Sequence, residues 1–302
     1  MSQLCDLILE SYQVRRTEAQ KTAFIQLLQQ RFPQLQVEKT DKNRNLVAGD
    51  ITTAKILFTA HYDTPARSFW PNISMPLRPG LKFAYNMLVL MPIIGLMLLA
   101  MFGLESVLPD LRIRACIGLA VYYVLYFYLF FGAPANQHNA NDNTSGVCLL
   151  VRLMETLTPE QLEKVAFVFF DNEEKGCVGS KAFRKRHKAE TEHTLIFNFD
   201  CVADGEHIMF LSTLPAEKQW EPLLRQAFYD ADGYSVSFTN SKKAKYSSDQ
   251  KRFPMSIGTA ALHTHPIVGY YFARIHTARD TVHNPKNIEF LRAGAIRLID
   301  SI

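Results

Sequence analysis

Histidines and carboxylates recur along this chain at points where an apolar run ends or a polar loop begins. Imidazole and carboxylate groups bind borderline metals such as zinc, and a carboxylate that binds no metal can transfer protons. In an α/β protein such groups collect at the carboxyl ends of the strands. The types and order of these residues therefore predict a two-metal hydrolase site. Its candidate residues are His61, Asp63, Asp142, Glu173, Glu174, Asp200 and His276.

His61 and Asp63 follow the apolar run 56–60, which reads as a buried strand. Residues two apart at a strand end project their side chains to the same face. We predict that Asp63 accepts the second ring N–H of His61, which fixes the tautomer and leaves the other nitrogen for a metal.

Asp142 lies in the polar turn 139–146, just ahead of a predicted helix. One interpretation is a helix cap, for which Asp, Asn, Thr and Ser are all suited. The other is a carboxylate that bridges two metals about 3.5–4 Å apart. Both interpretations can hold, because Thr144 or Ser145 could cap the helix while Asp142 points outward.

Glu173 and Glu174 are adjacent carboxylates after the apolar run 165–170. Two ionised neighbours repel each other unless a cation lies between them. One is therefore predicted to be a metal ligand and the other a general base, with an ordinary surface loop as the alternative. Asp200 follows the apolar run 195–199, where a metal would balance the charge of a buried carboxylate.

Apolar runs typical of buried strands alternate with segments of helical periodicity along the chain. This alternation predicts an α/β fold of three layers, α/β/α, with a mostly parallel central sheet. We expect residues 1–302 to form a single domain with one insertion, residues 78–137. Further predicted elements are a helix over 17–32, a strand over 258–262 and a helix over 288–299.

The insertion contains two segments without any charged residue, 83–104 and 115–136. Roughly 20 helical residues, at ~1.5 Å each, cross a hydrocarbon layer of ~30 Å. Neither segment shows the polar stripe that is normal for a helix packed on a protein core. They predict a helical hairpin that enters a lipid bilayer. The alternative is a soluble hairpin, buried in the domain or used to form a dimer.

Composition narrows the class of protein further. The 302 residues carry a net charge of +4 with no basic block, which argues against nucleic-acid binding. The five cysteines are scattered, without the C-x-x-C spacing of thiolate zinc sites, and favour a reducing compartment. The amino-terminal segment lacks the pattern of a secretory signal.

Charges flanking the insertion bear on its orientation. Arg67, Arg78 and Lys82 precede the first apolar segment, whereas Arg112 and Arg114 lie between the two segments. By the positive-inside rule this favours a membrane-associated protein with a cytoplasmic catalytic domain. A soluble cytoplasmic protein is the alternative.

Taken in order, the polar motifs resemble those of the M28 family of zinc aminopeptidases, from about Leu46 to Ile299 apart from the insertion. The resemblance implies a zinc exopeptidase-like fold, two Zn²⁺ per chain and the removal of amino-terminal residues from peptides. One member of the pattern differs, since Gln250 stands where many relatives have histidine. The motifs are His61-Tyr62-Asp63, Asn141-Asp142-Asn143 with Ser145-Gly146, Glu173-Glu174, Asn198 with Asp200, and His276-Thr277 with Asp280.

The resemblance also implies a role for each residue. Asp142 would bridge both metals, with His61 and Asp200 completing one site and Glu174 and His276 the other. Glu173 would act as general base, and Asp63 and Asp280 would support the ligands.

Two other functions remain open. One is an amidase or deacylase acting on a small non-peptide amide, and the other is a non-catalytic binding module at a membrane. Glutaminyl cyclisation, which related single-zinc enzymes perform, is disfavoured because His61 and Asp63 are retained.

Overall fold

A sheet of nine strands forms the centre of the described part of the computed structural model, residues 2–130, 132–229 and 234–302. In chain order the strands are β1 Gln36–Lys39, β2 Arg44–Ala48, β3 Ile56–His61, β4 Val165–Phe170, β5 Leu195–Phe199, β6 His207–Ser212, β7 Ser235–Asn240, β8 Ser256–His265 and β9 Gly269–Tyr271. They lie side by side in the order β1-β2-β4-β3-β5-β8-β6-β7, and β9 pairs with β8.

The four central strands, β4, β3, β5 and β8, are parallel to one another. Their β-branched and aromatic side chains are fully buried on both faces of β3, β4 and β5, as expected for strands covered by helices. Antiparallel pairs appear toward the edges, where β2 joins β4 and β6 joins β8. The predicted parallel centre is confirmed, and the antiparallel edge pairs are an addition to it.

Helices surround the sheet and form the insertion. In chain order they are α1 Gln3–Ser11, α2 Glu18–Arg31, α3 Pro79–Gly103, α4 Leu111–Phe130, α5 Thr144–Thr156, α6 Pro159–Leu162, α7 Val178–Arg186, α8 Glu190–His193, α9 Leu214–Ala227 and α10 Pro285–Asp300.

Alternate residues of β3, β4 and β5 contribute to two separate cores. Phe58 of β3 packs between Phe167 and Phe197 in the larger core, which also contains apolar residues of α2, α5, α9 and α10. Its neighbour Leu57 lies in the smaller core on the opposite face, together with Phe183 of α7. Helices therefore cover both faces of the sheet, which confirms the predicted three layers.

The insertion folds as a hairpin of α3 and α4, which have 25 and 20 residues. At ~1.5 Å per residue they are roughly 37 Å and 30 Å long. Both are long and apolar enough to cross a membrane. Within an apolar stretch of 18 residues in each helix, only 6% of the stretch is buried in α3 and 11% in α4. The hairpin is thus not a core element of the α/β domain. Phe131, within the predicted second segment, lies outside the described residues.

The two hairpin helices approach each other closely at Gly118. A Cβ atom at this position would lie 2.9 Å from the carbonyl oxygen of Met97. Glycine here allows the two backbones to come together, as small residues do between membrane helices.

Candidate metal centre

The loops at one edge of the parallel strands bring the predicted site residues together. His61 is the last residue of β3 and lies opposite Phe170, the last residue of β4, so the Glu173-Glu174 loop begins beside it. Asp200 directly follows β5. Asp142 lies just before α5, and His276 lies between β9 and α10.

A first group of side chains that could hold a metal consists of His61, Asp142 and Asp200, all buried. The Nε2 atom of His61 is 3.3 Å from Oδ1 of Asp142 and 3.5 Å from Oδ1 of Asp200.

A second group consists of Asp142, Glu174 and His276. The Nε2 atom of His276 is 3.0 Å from Oδ2 of Asp142 and 3.5 Å from Oε2 of Glu174. The two oxygens of the Asp142 carboxylate therefore face different histidines, Oδ1 facing His61 and Oδ2 facing His276.

These separations suit zinc. Tetrahedral zinc binds imidazole nitrogen and carboxylate oxygen at roughly 2.0–2.2 Å, which places neighbouring ligand atoms about 3.3 Å apart. The distances from the two histidines to their carboxylates range around this value. Among the described residues, the buried Oε1 atom of Glu174 also has no hydrogen-bond partner. Donor types and spacing therefore fit zinc.

His61 is oriented by a backbone carbonyl. Its Nδ1 atom is 3.1 Å from the carbonyl oxygen of Asp63, whereas the nearest Asp63 carboxylate oxygen is 3.6 Å away. A carbonyl oxygen can only accept, so Nδ1 carries the proton and Nε2 presents a lone pair to the site. The predicted tautomer follows, and Asp63 is the predicted acceptor, but it accepts through its peptide oxygen, which lies closer than its carboxylate.

The Asp63 carboxylate binds the next loop instead. It accepts the backbone N–H of Glu173 at 2.9 Å and that of Glu174 at 3.2 Å. The residue that orients His61 through its carbonyl therefore also holds the two glutamates in place.

Asp280 has a similar role for the Asp142 loop. Its carboxylate accepts the N–H of Asn141 at 2.8 Å and the N–H of Asp142 at 3.0 Å. Helix α5 is capped by Asn143, whose side-chain oxygen accepts the N–H of Gly146. The predicted caps Thr144 and Ser145 were wrong, because both already lie inside the first turn.

Charge and burial shift the pKa values in this centre. Burial raises the pKa of Asp142, but hydrogen bonds from His276 and His61 lower it more, and its net pKa lies below the ordinary value. Burial raises the pKa of Glu173 well above its ordinary value, and the charge of Glu174 adds to that rise. The pKa of Glu174 is also raised well above its ordinary value, by burial and by the charge of Asp142.

Backbone geometry marks the same region. Non-glycine residues with positive φ are uncommon, and they cluster where a functional site over-determines the conformation. Each of those in the described chain either belongs to the site or lies within three residues of Glu174 or Asp200: Asn172, Cys177, Cys201 and His276.

Several buried polar residues near the site were not predicted from the sequence. Arg15 is fully buried and donates to the carbonyl of Tyr62 and, at 3.1 Å, to the hydroxyl of Thr144. Burial lowers its pKa to about 10. Lys21, also buried, lies 2.5 Å from Asp171. No pattern in the sequence indicated that these two side chains are buried, because basic residues in amphipathic segments usually face solvent.

The side chain of Gln250 is held by bonds to other residues of the protein. Its side-chain oxygen accepts from Asn198 of β5 at 3.1 Å, and its amide donates to the carbonyl of Tyr246 at 3.1 Å. The side chain is buried and serves as a structural link. The neighbouring Asp249 is fully buried, and burial raises its pKa to about 7.

Comparison with known proteins gives structural neighbours at low identity. The chain is similar to the LapA aminopeptidase of Legionella pneumophila, with TM-score 0.58 and 13% identity over 99% of this chain and 67% of that one. LapB from the same organism gives TM-score 0.59 and 12% identity over 99% and 70%. A glutaminyl cyclase of Porphyromonas gingivalis gives TM-score 0.59 and 14% identity over 99% and 96%. These likenesses establish the fold alone.

The search of curated proteins gives no match. A family model, by contrast, matches residues 129–298, more than half of the chain, and this stretch contains all the predicted site residues except His61 and Asp63. The chain therefore belongs to peptidase family M28, the metallopeptidase family whose motifs it carries.

Proposed function

We propose that this protein is a membrane-anchored aminopeptidase that uses two zinc ions to remove amino-terminal residues from peptides. The observation that carries the proposal is the position of Asp142, whose two carboxylate oxygens lie 3.3 Å and 3.0 Å from the ring nitrogens of two different histidines. A carboxylate so placed is suited to bridge a pair of ions.

His61 and Asp200 would complete one zinc site with Asp142, and Glu174 and His276 would complete the other. When bound, the two ions supply Lewis acidity, which lowers the pKa of water and polarises the scissile carbonyl. Asp63 and Asp280 act on the loops that carry these ligands, through the backbone N–H groups that they accept.

Glu173 is the proposed general base. It stands next to Glu174, and its carboxylate belongs to a group with His61 and Glu174 whose atoms lie within 4.8 Å of one another. From this position it can take a proton from the attacking water and pass it to the leaving amine. The thiol of Cys177, 3.3 Å from Oε1, donates to the same carboxylate and restricts its orientation.

A substrate panel tests the reaction class. The purified full chain, loaded with zinc in detergent, would be assayed with aminoacyl amides, with N-acyl amino acids and with an amino-terminal glutaminyl peptide. The proposal predicts hydrolysis of the aminoacyl amides. Turnover of the N-acyl compounds alone would support an amidase or deacylase, and release of a cyclised product alone would support glutaminyl cyclisation.

The membrane anchor is proposed from the exposure of α3 and α4. Their apolar side chains face outward along nearly the whole hairpin, and a surface of this extent is not expected in contact with water. The catalytic domain is proposed to face the cytoplasm. Cells expressing the full chain would be fractionated, and the membranes washed at high salt and at alkaline pH. The anchor predicts retention in the pellet, and full recovery in the supernatant would contradict it.

A further inference from the structure

A cavity of ≈ 210 Å³ opens beside the second metal-ligand group. Two of the predicted ligands, Glu174 and His276, form part of its wall. Another part of the wall belongs to the hairpin and consists of Tyr85, Asn86 and Val89 of α3 with Leu129 of α4. The insertion therefore reaches the candidate active site.

The remaining lining residues belong to the loop 66–72, and this loop contacts both the metal centre and the hairpin. On the side of the metal centre, the N–H of Ser68 donates to the carbonyl of His276 at 2.6 Å. On the side of the hairpin, the Tyr85 hydroxyl donates to the carbonyl of Pro71, and the rings of Phe69 and Tyr128 stack with centroids 6.4 Å apart. These contacts fix the base of the hairpin relative to His276.

The cavity has both apolar and polar walls. Val89 and Leu129 of the hairpin, with Trp70 of the loop 66–72, contribute hydrocarbon and aromatic surface. Asn86 of the hairpin and the two predicted ligands contribute polar surface. Its volume equals that of about seven water molecules at ~30 Å³ each, which is enough for one large side chain.

The cavity also lies close to the expected membrane surface. Lys82 is the last charged residue before the apolar run of α3, and Val89 follows seven positions later. At ~1.5 Å per residue the pocket wall extends roughly 10 Å beyond that charge, to the depth where hydrocarbon begins.

We propose that the residues at the base of the hairpin form the part of the active-site wall that selects the substrate side chain. The pocket takes an apolar side chain beside the scissile bond, and the substrates are peptides with apolar amino ends that lie at the bilayer surface. This inference rests on the proposed aminopeptidase function, and it assigns to the insertion a part in substrate selection in addition to anchoring.

The first test fills the pocket. Val89→Trp is compared with Leu88→Trp, the adjacent position on α3, where the native leucine is 66% exposed. The zinc-loaded full chains would be assayed in detergent with leucyl, phenylalanyl and alanyl aminomethylcoumarin. We expect Val89→Trp to lose about tenfold or more in kcat/KM for the leucyl and phenylalanyl substrates and little for the alanyl substrate, because a filled pocket rejects large side chains. Leu88→Trp should match the wild type for all three.

A gentler variant covers the case in which Val89→Trp does not fold. Val89→Ala enlarges the pocket and should raise the ratio of phenylalanyl to leucyl kcat/KM. An unchanged ratio in Val89→Ala, or equal losses on all substrates in a folded Val89→Trp, would overturn the inference. Absence of any aminoacyl hydrolysis by the wild type would instead overturn the proposed function.

The second test concerns the membrane surface. The enzyme, reconstituted in phosphatidylcholine vesicles, would be given two peptides with the same amino-terminal leucine, of which one carries an apolar tail that binds vesicles. The inference predicts a lower KM for the vesicle-bound peptide. Equal KM values, or a higher one for the bound peptide, would overturn delivery from the bilayer.

Discussion

The carboxylate of Asp63 accepts the backbone N–H of Glu173 at 2.9 Å, although 110 residues separate the two in the chain. The proposed general base is thereby held by the strand-end loop that also orients His61. Replacing a residue that only positions the general base should therefore affect turnover differently from replacing a metal ligand.

Replacement Asp63→Asn should lower kcat about 10–100-fold, the usual effect of losing a residue that orients active-site groups. The two N–H groups donate to different oxygens of Asp63, and asparagine replaces one of these oxygens by an NH2 group, so the Glu173-Glu174 loop loses a bond. KM and zinc content should change little, which steady-state kinetics and elemental analysis would check. The exposed Asp50→Asn is the matched control. An Asp63→Asn enzyme with wild-type kcat would contradict the role of Asp63 in positioning the Glu173-Glu174 loop.

Asp142→Ala should remove both zinc ions, because both ligand groups share this carboxylate. Asp200→Ala should leave the second group intact and retain about one ion per chain. Elemental analysis of the variants after gel filtration would measure the difference, with the exposed Asp41→Ala as control. Equal zinc contents in Asp142→Ala and Asp200→Ala would show that Asp142 does not bridge two sites.

Acid should destabilise the fold through His283. Burial lowers the pKa of this histidine to about 4 from 6.5, and within the described chain neither ring nitrogen has a hydrogen-bond partner. The cavity beside it is lined by Cys5, Cys148, Arg152 and Glu289. The unfolded chain therefore binds a proton more readily than the folded chain, so stability is complete above pH 6.5 and falls as the pH drops toward 4.

The expected loss of unfolding free energy across this window is on the order of 2–3 kcal/mol. Guanidinium unfolding at about pH 7 and at about pH 4.5 would measure it in the wild type and in His283→Phe. The phenylalanine variant should show a smaller difference between the two conditions. An identical difference in both proteins would exclude His283 as the cause.

The hairpin should depend on Gly118. In Gly118→Leu the added side chain meets the Met97 carbonyl, so α3 and α4 must move apart. We expect a Tm in detergent several degrees below that of the wild type. Gly95→Leu is the matched control, because a Cβ there has no neighbour within 4 Å. Equal Tm values for the two variants would argue against close packing at Gly118.

Much of the site could be predicted from the sequence because its residues follow strands with strong apolar patterns. His61 and Asp200 come at strand ends, where geometry leaves few directions for a side chain. The partners of these residues were less accessible to prediction. Whether Asp63 offers its carboxylate or its carbonyl to His61 depends on a difference of 0.5 Å between 3.6 and 3.1 Å, which spacing in sequence does not define.

In the fold, too, the strands could be predicted from the sequence, whereas contacts between distant residues could not. Continuous apolar runs predict β3, β4 and β5 because parallel central strands are buried on both faces. Buried Arg15 and Lys21 were missed because their partners, Thr144 and Asp171, are distant in sequence. The contact between Tyr85 and Pro71 was missed for a related reason, since the apolar pattern of α3 indicates a membrane helix and says nothing of its base.

The variant Glu173→Gln tests the central claim most directly. It keeps the size of the side chain and removes the basic oxygen, so kcat for a leucyl substrate should fall about a hundred- to ten-thousand-fold. Two zinc ions per chain should remain, because Glu173 belongs to neither of the ligand groups centred on Asp142. The exposed Glu163→Gln should behave as the wild type. A folded Glu173→Gln protein with two zinc ions and near-normal kcat would contradict the proposed mechanism.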